Sequence, residues 1–425
     1  MPDLTDPEHL PADYVRGLLS PRISRRQAIQ LGGLSAMAAT LAACGVKGAK
    51  KSGPSSSAAQ DAVKTFWAAQ KQTGRLNFAN WPLYLDASDK NKNDHPSLDL
   101  FTKQTGIKVT YKEVIQENAS FFGKIQPQLA AGQSIGYDII VITNGTYLDK
   151  LMQLGYLTAL DQSKMSNFYA NASSLVKSPS YDHGNVYTMA WQSGITGIGY
   201  DPKRVGKKIT SWADLQDAAL KGKVGMFGDN QDLPNSALLA VGVNPETSKE
   251  ADWHTAADWL KKQRDAGLVR KYYEQDYITP LSKGDIWASM AWSGDVFQAN
   301  ASGATLDFVV PSEGAVIWTD NMCMPKHAAH PFDAMTYMDF VYDPKIAAML
   351  AEYINYITPV PGAQQVIQQD ADAATGDDKA YDEGLVKSPL IFPSQSDFAR
   401  LRRYRVLTAA EEKTWNSIFE PIYQS

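Results

Sequence analysis

From Arg75 onward the chain alternates short apolar runs with segments in which apolar side chains recur every three or four positions. Leu76–Trp81, Lys108–Val114 and Asp138–Thr143 read as strands, and Ser97–Thr105, Asn118–Ala131 and Tyr147–Leu154 carry the helical period. The alternation resumes with strands at Ile195–Tyr200 and Val224–Phe227 and helices at Ser211–Ala218 and Lys249–Arg264. Strands at Met290–Trp292, Leu306–Val310 and Val316–Met322 follow, then helices at Pro331–Tyr342, Lys345–Ile354 and Ala409–Phe419. Continuous apolar strands need cover on both faces, and intervening helices supply it, so the pattern predicts an α/β fold with parallel sheets. No fixed-period repeat is visible, and roughly 350 residues of such pattern suit two α/β lobes.

Ahead of this body the pattern changes. Ser24-Arg25-Arg26 precedes a weakly apolar stretch, Gln27 to Ala43, which is interrupted by Gly32, Gly33, Ser35 and Thr40 and runs into Leu41-Ala42-Ala43-Cys44. Paired arginines before a mild apolar region resemble a twin-arginine export signal, and Leu-Ala-Ala-Cys resembles a bacterial lipobox whose thiol receives the lipid. The ordinary alternative is a short buried helix with an incidental Cys, since the stretch falls short of the ~20 apolar residues of a bilayer span. On the export reading Cys44 is a lipid anchor on the outer face of the cytoplasmic membrane, and Cys323 is a lone buried thiol. Residues 45–57, rich in Gly, Ser and Lys, form a tether, and 59–72 suit a short helix.

Charge sharpens this division. The 425 residues carry 41 Lys+Arg and 46 Asp+Glu, a formal charge of −5. Residues 1–44 are neutral and residues 45–75 hold +5, so the body carries −10. A basic tether beside an acidic body suits a protein lying over anionic lipid, although linkers are also Lys-rich for solubility. No basic domain points to nucleic acid. Only 2 Cys exclude a disulfide scaffold and any multi-cysteine metal centre.

Catalytic signatures are missing: there is no Walker loop, HExxH, GxSxG or strand-following GxGxxG. His327 and His330 are close in sequence, but Pro331 places them at a loop or helix start, where solvated histidines are the ordinary case. What stands out is a set of aromatic and acidic clusters at the ends of predicted strands. They are Asn80-Trp81-Pro-Leu-Tyr84, Gly228-Asp229-Asn-Gln-Asp232, Trp292-Ser-Gly-Asp295, Trp318-Thr-Asp320 and Asn355-Tyr356-Ile-Thr-Pro359. Open α/β sheets bind ligands at strand C-terminal ends. An indole face beside a carboxylate meets the needs of a dehydrated ammonium group: the acid pairs the charge and the ring adds ~0.5–2 kcal/mol of cation–π attraction. Taken singly, each cluster also reads as a core Trp followed by a helix-capping Asp. Their recurrence favours a site for a chain with several amines.

These residues resemble the spermidine/putrescine-binding proteins of bacterial polyamine importers, within the type II periplasmic binding-protein class. The resemblance runs from about Leu76 to Gly362 and continues more weakly to the end. NFANWPLY (77–84), FTKQTGIKVTYKE (101–113), YDIIVITNGTYLDKL (137–151), SMAWSGD (289–295), VVPSEGAVIWTD (309–320) and YITPVPGA (356–363) carry it, with GIGYDP (197–202) and TSWADL (210–215). It implies two α/β lobes closing over one ligand. Residues 75–194 with 317–367 would form the first lobe and 195–316 with 368–425 the second, after a 1–44 signal and a 45–74 tether. Trp81 and Tyr84 would form one wall, and Thr143 and Asn144 would supply polar contacts. Asp229 and Asp232 would hold one ammonium, and Trp292 with Asp295 another. Trp318 would stack on the ligand chain, Asp320 pair an amine and Tyr356 close the box, with Gln395 as a terminal contributor. The sequence departs from the family where Asp232 replaces a frequent Glu, where Leu83 replaces an occasional acid, and in a loop at 143–146 that is one residue longer.

The expectation is therefore a monomeric, non-enzymatic binding protein without cofactor or metal. It would capture a polyamine and pass it to the permease and ATPase of an ABC importer. Alternatives are the same fold serving another cationic or zwitterionic solute, or acting as a sensor. More remote is a secreted glycoside hydrolase using Asp229 with Asp232, or Asp320.

Overall fold

The computed structural model describes residues 57–88, 91–274 and 276–424; the export-signal reading and Cys44 lie outside them. Ten strands are hydrogen-bonded into one sheet: β1 (Arg75–Asn80), β2 (Lys108–Glu113), β3 (Ile139–Thr143), β4 (Thr188–Tyr200), β5 (Val224–Phe227), β6 (Val269–Tyr273), β7 (Ala288–Trp292), β8 (Asp307–Val309), β9 (Ala315–Cys323) and β10 (Leu401–Arg402). The order is β2-β1-β3-β9-β4-β7-β5-β6, with β8 on β4 and β10 on β9. Parallel pairing holds at both ends of the sheet, among β1–β3 and among β5–β7. The middle differs from the all-parallel expectation: β9 runs antiparallel to β3 and β4, and β4 antiparallel to β7. Two long buried strands thus cross from one α/β half to the other.

These crossing strands are also where the hydrophobic pattern under-reads the structure. β4 starts seven residues before its predicted first residue, and all 13 of its residues are buried. Gln192, Ser193 and Gly194 interrupt the apolar run, so period and composition give no strand signal there. Strands β6 and β10 were likewise not predicted. β6 (VRKYY) is a charged edge strand, a composition that blunts edge-to-edge pairing while erasing apolar alternation. The predicted helix at Ser211–Ala218 is instead two single 3-10 turns, Trp212–Gln216 and Ala218–Leu220, because Ser211 and Asp214 close a capping box and Asp217 caps again.

Aromatic packing holds the first half together, with Phe78 contacting Trp191 and Tyr337, and Phe101 against Tyr337. In the second half Trp253 of the helix Glu250–Asp265 meets Trp415 of the last helix, Ala409–Tyr423, edge to face at 5.2 Å. The helix Ser57–Ala68 docks on the first half: Trp67 is buried and its Nε1 donates to the Ala159 carbonyl at 2.9 Å.

Candidate functional site

Side chains of a strand alternate between faces, and directly opposed residues share one. Across β4 and β9, Gln192 faces Asp320 and Gly194 faces Trp318, while Ser193 opposes Thr319 and Ile195 opposes Ile317. One face of the crossing strands therefore presents Gln192, Gly194, Thr196, Trp318 and Asp320. The other carries the small apolar cluster of Ile195, Ala315, Ile317, Ile357 and Leu401. A cavity of about 250 Å³ opens on that second face, beside Ser193, Thr319 and Arg403, and holds none of the acid–aromatic residues.

Asp320 is 3% exposed, and its oxygens accept from Thr143 Oγ1 and the Tyr84 hydroxyl, both at 2.6 Å. Thr143 is held in turn by Asn118, whose Nδ2 donates to its Oγ1 at 2.9 Å. Asp232, also buried, accepts at Oδ1 from Thr196 at 2.7 Å and from Tyr404 at 2.8 Å, and at Oδ2 from Trp292 Nε1 at 3.0 Å. All three of these donors are neutral, so they hold the carboxylate without cancelling its charge. Asp229 lies one turn earlier, half-buried, and its Oδ1 accepts from the backbone N–H groups of Gln231 and Asp232. It thereby holds the backbone at the start of the helix Asp232–Ala240, whose N-cap is Gln231, and it also feels the charge of the second acid. Burial, then repulsion from Asp232, pushes Asp229 up to about 7. Burial raises Asp232 as well, against the lowering effect of its hydrogen bonds.

Not every sequence candidate joins these acids with a polar group. Asp295 is 1% exposed and accepts from Tyr277 at 2.9 Å and Tyr356 at 2.8 Å; Tyr277 also accepts from the Trp292 backbone N–H. In this arrangement Asp295 orients Trp292 and Tyr356 from behind. Asn144 joins β3 to β9, its Oδ1 accepting from Thr319 N at 2.7 Å. Trp81 is buried with Nε1 on the Val141 carbonyl at 3.0 Å, so it underlies the wall that Tyr84 completes. Trp318 lies with Tyr356 at a ring separation of 5.3 Å, and Trp292 packs on Phe227 at 4.7 Å. Gln395 opens the short helix Gln395–Phe398, and its side chain lies outside the described residues.

Three contributors carried no sequence signal: Thr196, Tyr277 and Tyr404. Tyr404 is 5% exposed, and its hydroxyl is raised by burial and then by Asp232, Asp229 and Asp320, so all three acids act on it while only Asp232 is its hydrogen-bond partner. The two halves also touch here: Gln231 Nε2 donates to the Asn144 carbonyl at 3.4 Å, and Lys150 pairs with Glu412 at 2.7 Å. Among the described residues no His/Cys/Asp/Glu group is arranged to hold a metal ion.

Two α/β halves linked by crossing strands, with acids and indoles on the strand ends, define a two-lobed binding protein of the type II periplasmic class. The chain belongs to the bacterial extracellular solute-binding protein family, whose model matches residues 97–376. It is 29% identical over 296 residues to the spermidine/putrescine-binding periplasmic protein of Escherichia coli, covering 69% of this chain and 80% of that one. A Haemophilus influenzae protein, spermidine/putrescine-binding periplasmic protein 1, is 29% identical over 362 residues, covering 85% and 89%. The fold matches a solved spermidine/putrescine ABC transporter substrate-binding protein of Streptococcus pneumoniae with TM-score 0.69 at 21% identity, covering 82% of this chain and 98% of that chain.

Proposed function

We propose that this protein captures a polyamine of the putrescine/spermidine class outside the cytoplasmic membrane and delivers it to the permease and ATPase of an ABC importer. The observation that carries the reading is that Asp229, Asp232 and Asp320 all act on the buried Tyr404, with Trp292 bonded to Asp232, Tyr84 bonded to Asp320 and, among the described residues, only neutral donors on Asp232. Burial raises Asp229 and Asp232 and so leaves their ionised forms in need of a counter-charge, which an ammonium group desolvated beside an indole supplies. Acids on both halves give one ligand two charge anchors, so closure around β4 and β9 is coupled to occupancy. No bond is broken; specificity rests on the spacing between amines. The relatives named for spermidine and putrescine support the same ligand class. With Cys44 lipidated, the protein would work tethered to the outer face of the membrane.

Calorimetric titration with putrescine, spermidine and spermine tests this directly. Binding to at least one is expected, and Asp320→Asn should weaken it by about a hundredfold, as loss of one partner of a buried charge pair does. No heat and no thermal shift with all three would sink the reading.

A further inference from the structure

Two polar groups on the ligand face have no hydrogen-bond partner among the described residues: Gln192 Oε1 and Trp318 Nε1. They are 1% and 5% exposed as residues, and an unpaired buried amide or indole N–H is costly unless something binds it. Both belong to the same face of the crossing strands, in neighbouring register positions. The Trp318 indole covers Gly194, with Cε2, the carbon bearing Nε1, 2.8 Å from where a Gly194 Cβ would stand. Gln192 is two residues along β4 on the same face, opposite Asp320.

A protonated amine cannot satisfy this pair, because an ammonium has only donors and the indole N–H needs an acceptor. A ligand carboxylate would accept, but beside Asp320 it meets like charge. The group that fits is neutral and carries both functions. In an amide, the carbonyl accepts from Trp318 Nε1 and the adjacent N–H donates to Gln192 Oε1; a half-turn of the Gln192 amide offers a donor instead.

We infer that Gln192 and Trp318 form a neutral subsite for the amide of an N-acylated polyamine, whose free ammonium groups pair with the acids. The inference rests on the polyamine reading above and narrows it. Full-length protein is titrated calorimetrically with putrescine, N-acetylputrescine, spermidine and N1-acetylspermidine, and the series is repeated on Gln192→Leu and Gln192→Glu. At least one acetylated ligand should bind the native protein within about threefold of its parent, or tighter. Gln192→Leu should weaken that ligand about tenfold more than the parent, the cost of one lost hydrogen bond in a buried site. Gln192→Glu should shift preference toward the parent amines, a readout that a folding defect does not produce. Parents that bind while acetylated forms bind at least about tenfold more weakly would overturn this inference alone, as would equal losses in Gln192→Leu. Silence from all four ligands overturns the polyamine reading and this inference with it.

Discussion

Tyr404, from the segment before the last helix, donates a 2.8 Å hydrogen bond to Oδ1 of Asp232, 172 positions earlier in the chain. The bond joins the C-terminal segment to the N-terminus of the helix Asp232–Ala240 and places a phenol among three acids. A hydrogen bond to a charged group contributes ~1.5–3 kcal/mol. Tyr404→Phe should therefore weaken cation binding about tenfold or more, while circular dichroism stays native. Affinity equal to the native protein's would remove Tyr404 from the site.

Gly194 is required by the indole above it rather than by its own backbone. A Cβ there would stand 2.2 Å from Trp318 Cζ2, far inside contact distance, so Gly194→Ala must displace the ring. Overpacking of this kind costs about 1–3 kcal/mol, and most of it should appear in ligand affinity. The expected signature is weakened binding with quenching or shift of the ligand-dependent Trp fluorescence. An alanine variant with unaltered affinity would show that Trp318 does not set the ligand's position.

Asp229, raised to about 7 by burial and by Asp232, makes binding depend on pH. Its folded value lies above the roughly 3.9 of an unfolded Asp, so its contribution to stability falls as pH rises through that interval. A bound ammonium, itself charged up to about pH 10, favours the ionised acid and reverses the loss. Affinity should therefore rise from pH 5.5 to about pH 7 and level off above it, with proton release on binding. Titration in two buffers of different ionisation enthalpy measures that release, and Asp229→Asn should abolish most of the slope.

Away from the site, Glu352 is raised to about 7 by burial, then by Asp382 and Asp370. Here too the folded value exceeds the roughly 4.3 of an unfolded Glu, so stability falls as pH rises through that interval and the full loss is present above about pH 7. Glu352→Gln should raise the melting temperature at pH 8, and the gain should shrink toward pH 5, where the native side chain is protonated. An equal effect at both values would mean that packing, not charge, governs the position.

Two of the strand-end motifs, Trp292 to Asp295 and Trp318 to Asp320, were legible because each places an indole and an acid within a few positions. The sequence pairs Trp318 with Asp320, which share a face of β9 by strand alternation, but it pairs Trp292 with Asp295, whereas the Trp292 Nε1 donates to Asp232. The roles of Asp295 and Asn144 were not legible, because their acceptors are occupied by Tyr277, Tyr356 and Thr319, all three of which come from other parts of the chain. Nor was the length of β4, whose Gln192, Ser193 and Gly194 are buried for the ligand face and the neighbouring strand rather than for an apolar core.

From sequence alone came the α/β class, the positions of the acid–indole pairs and the acidic body behind a mild net charge. Those depend on local period and composition, which neighbouring residues report. Tertiary structure alone decided which carboxylates share one space, which are consumed in holding rings, and that Thr196 and Tyr404 meet at Asp232. Such contacts join strands and segments far apart in the chain, and no local pattern encodes the register and crossing that bring them together.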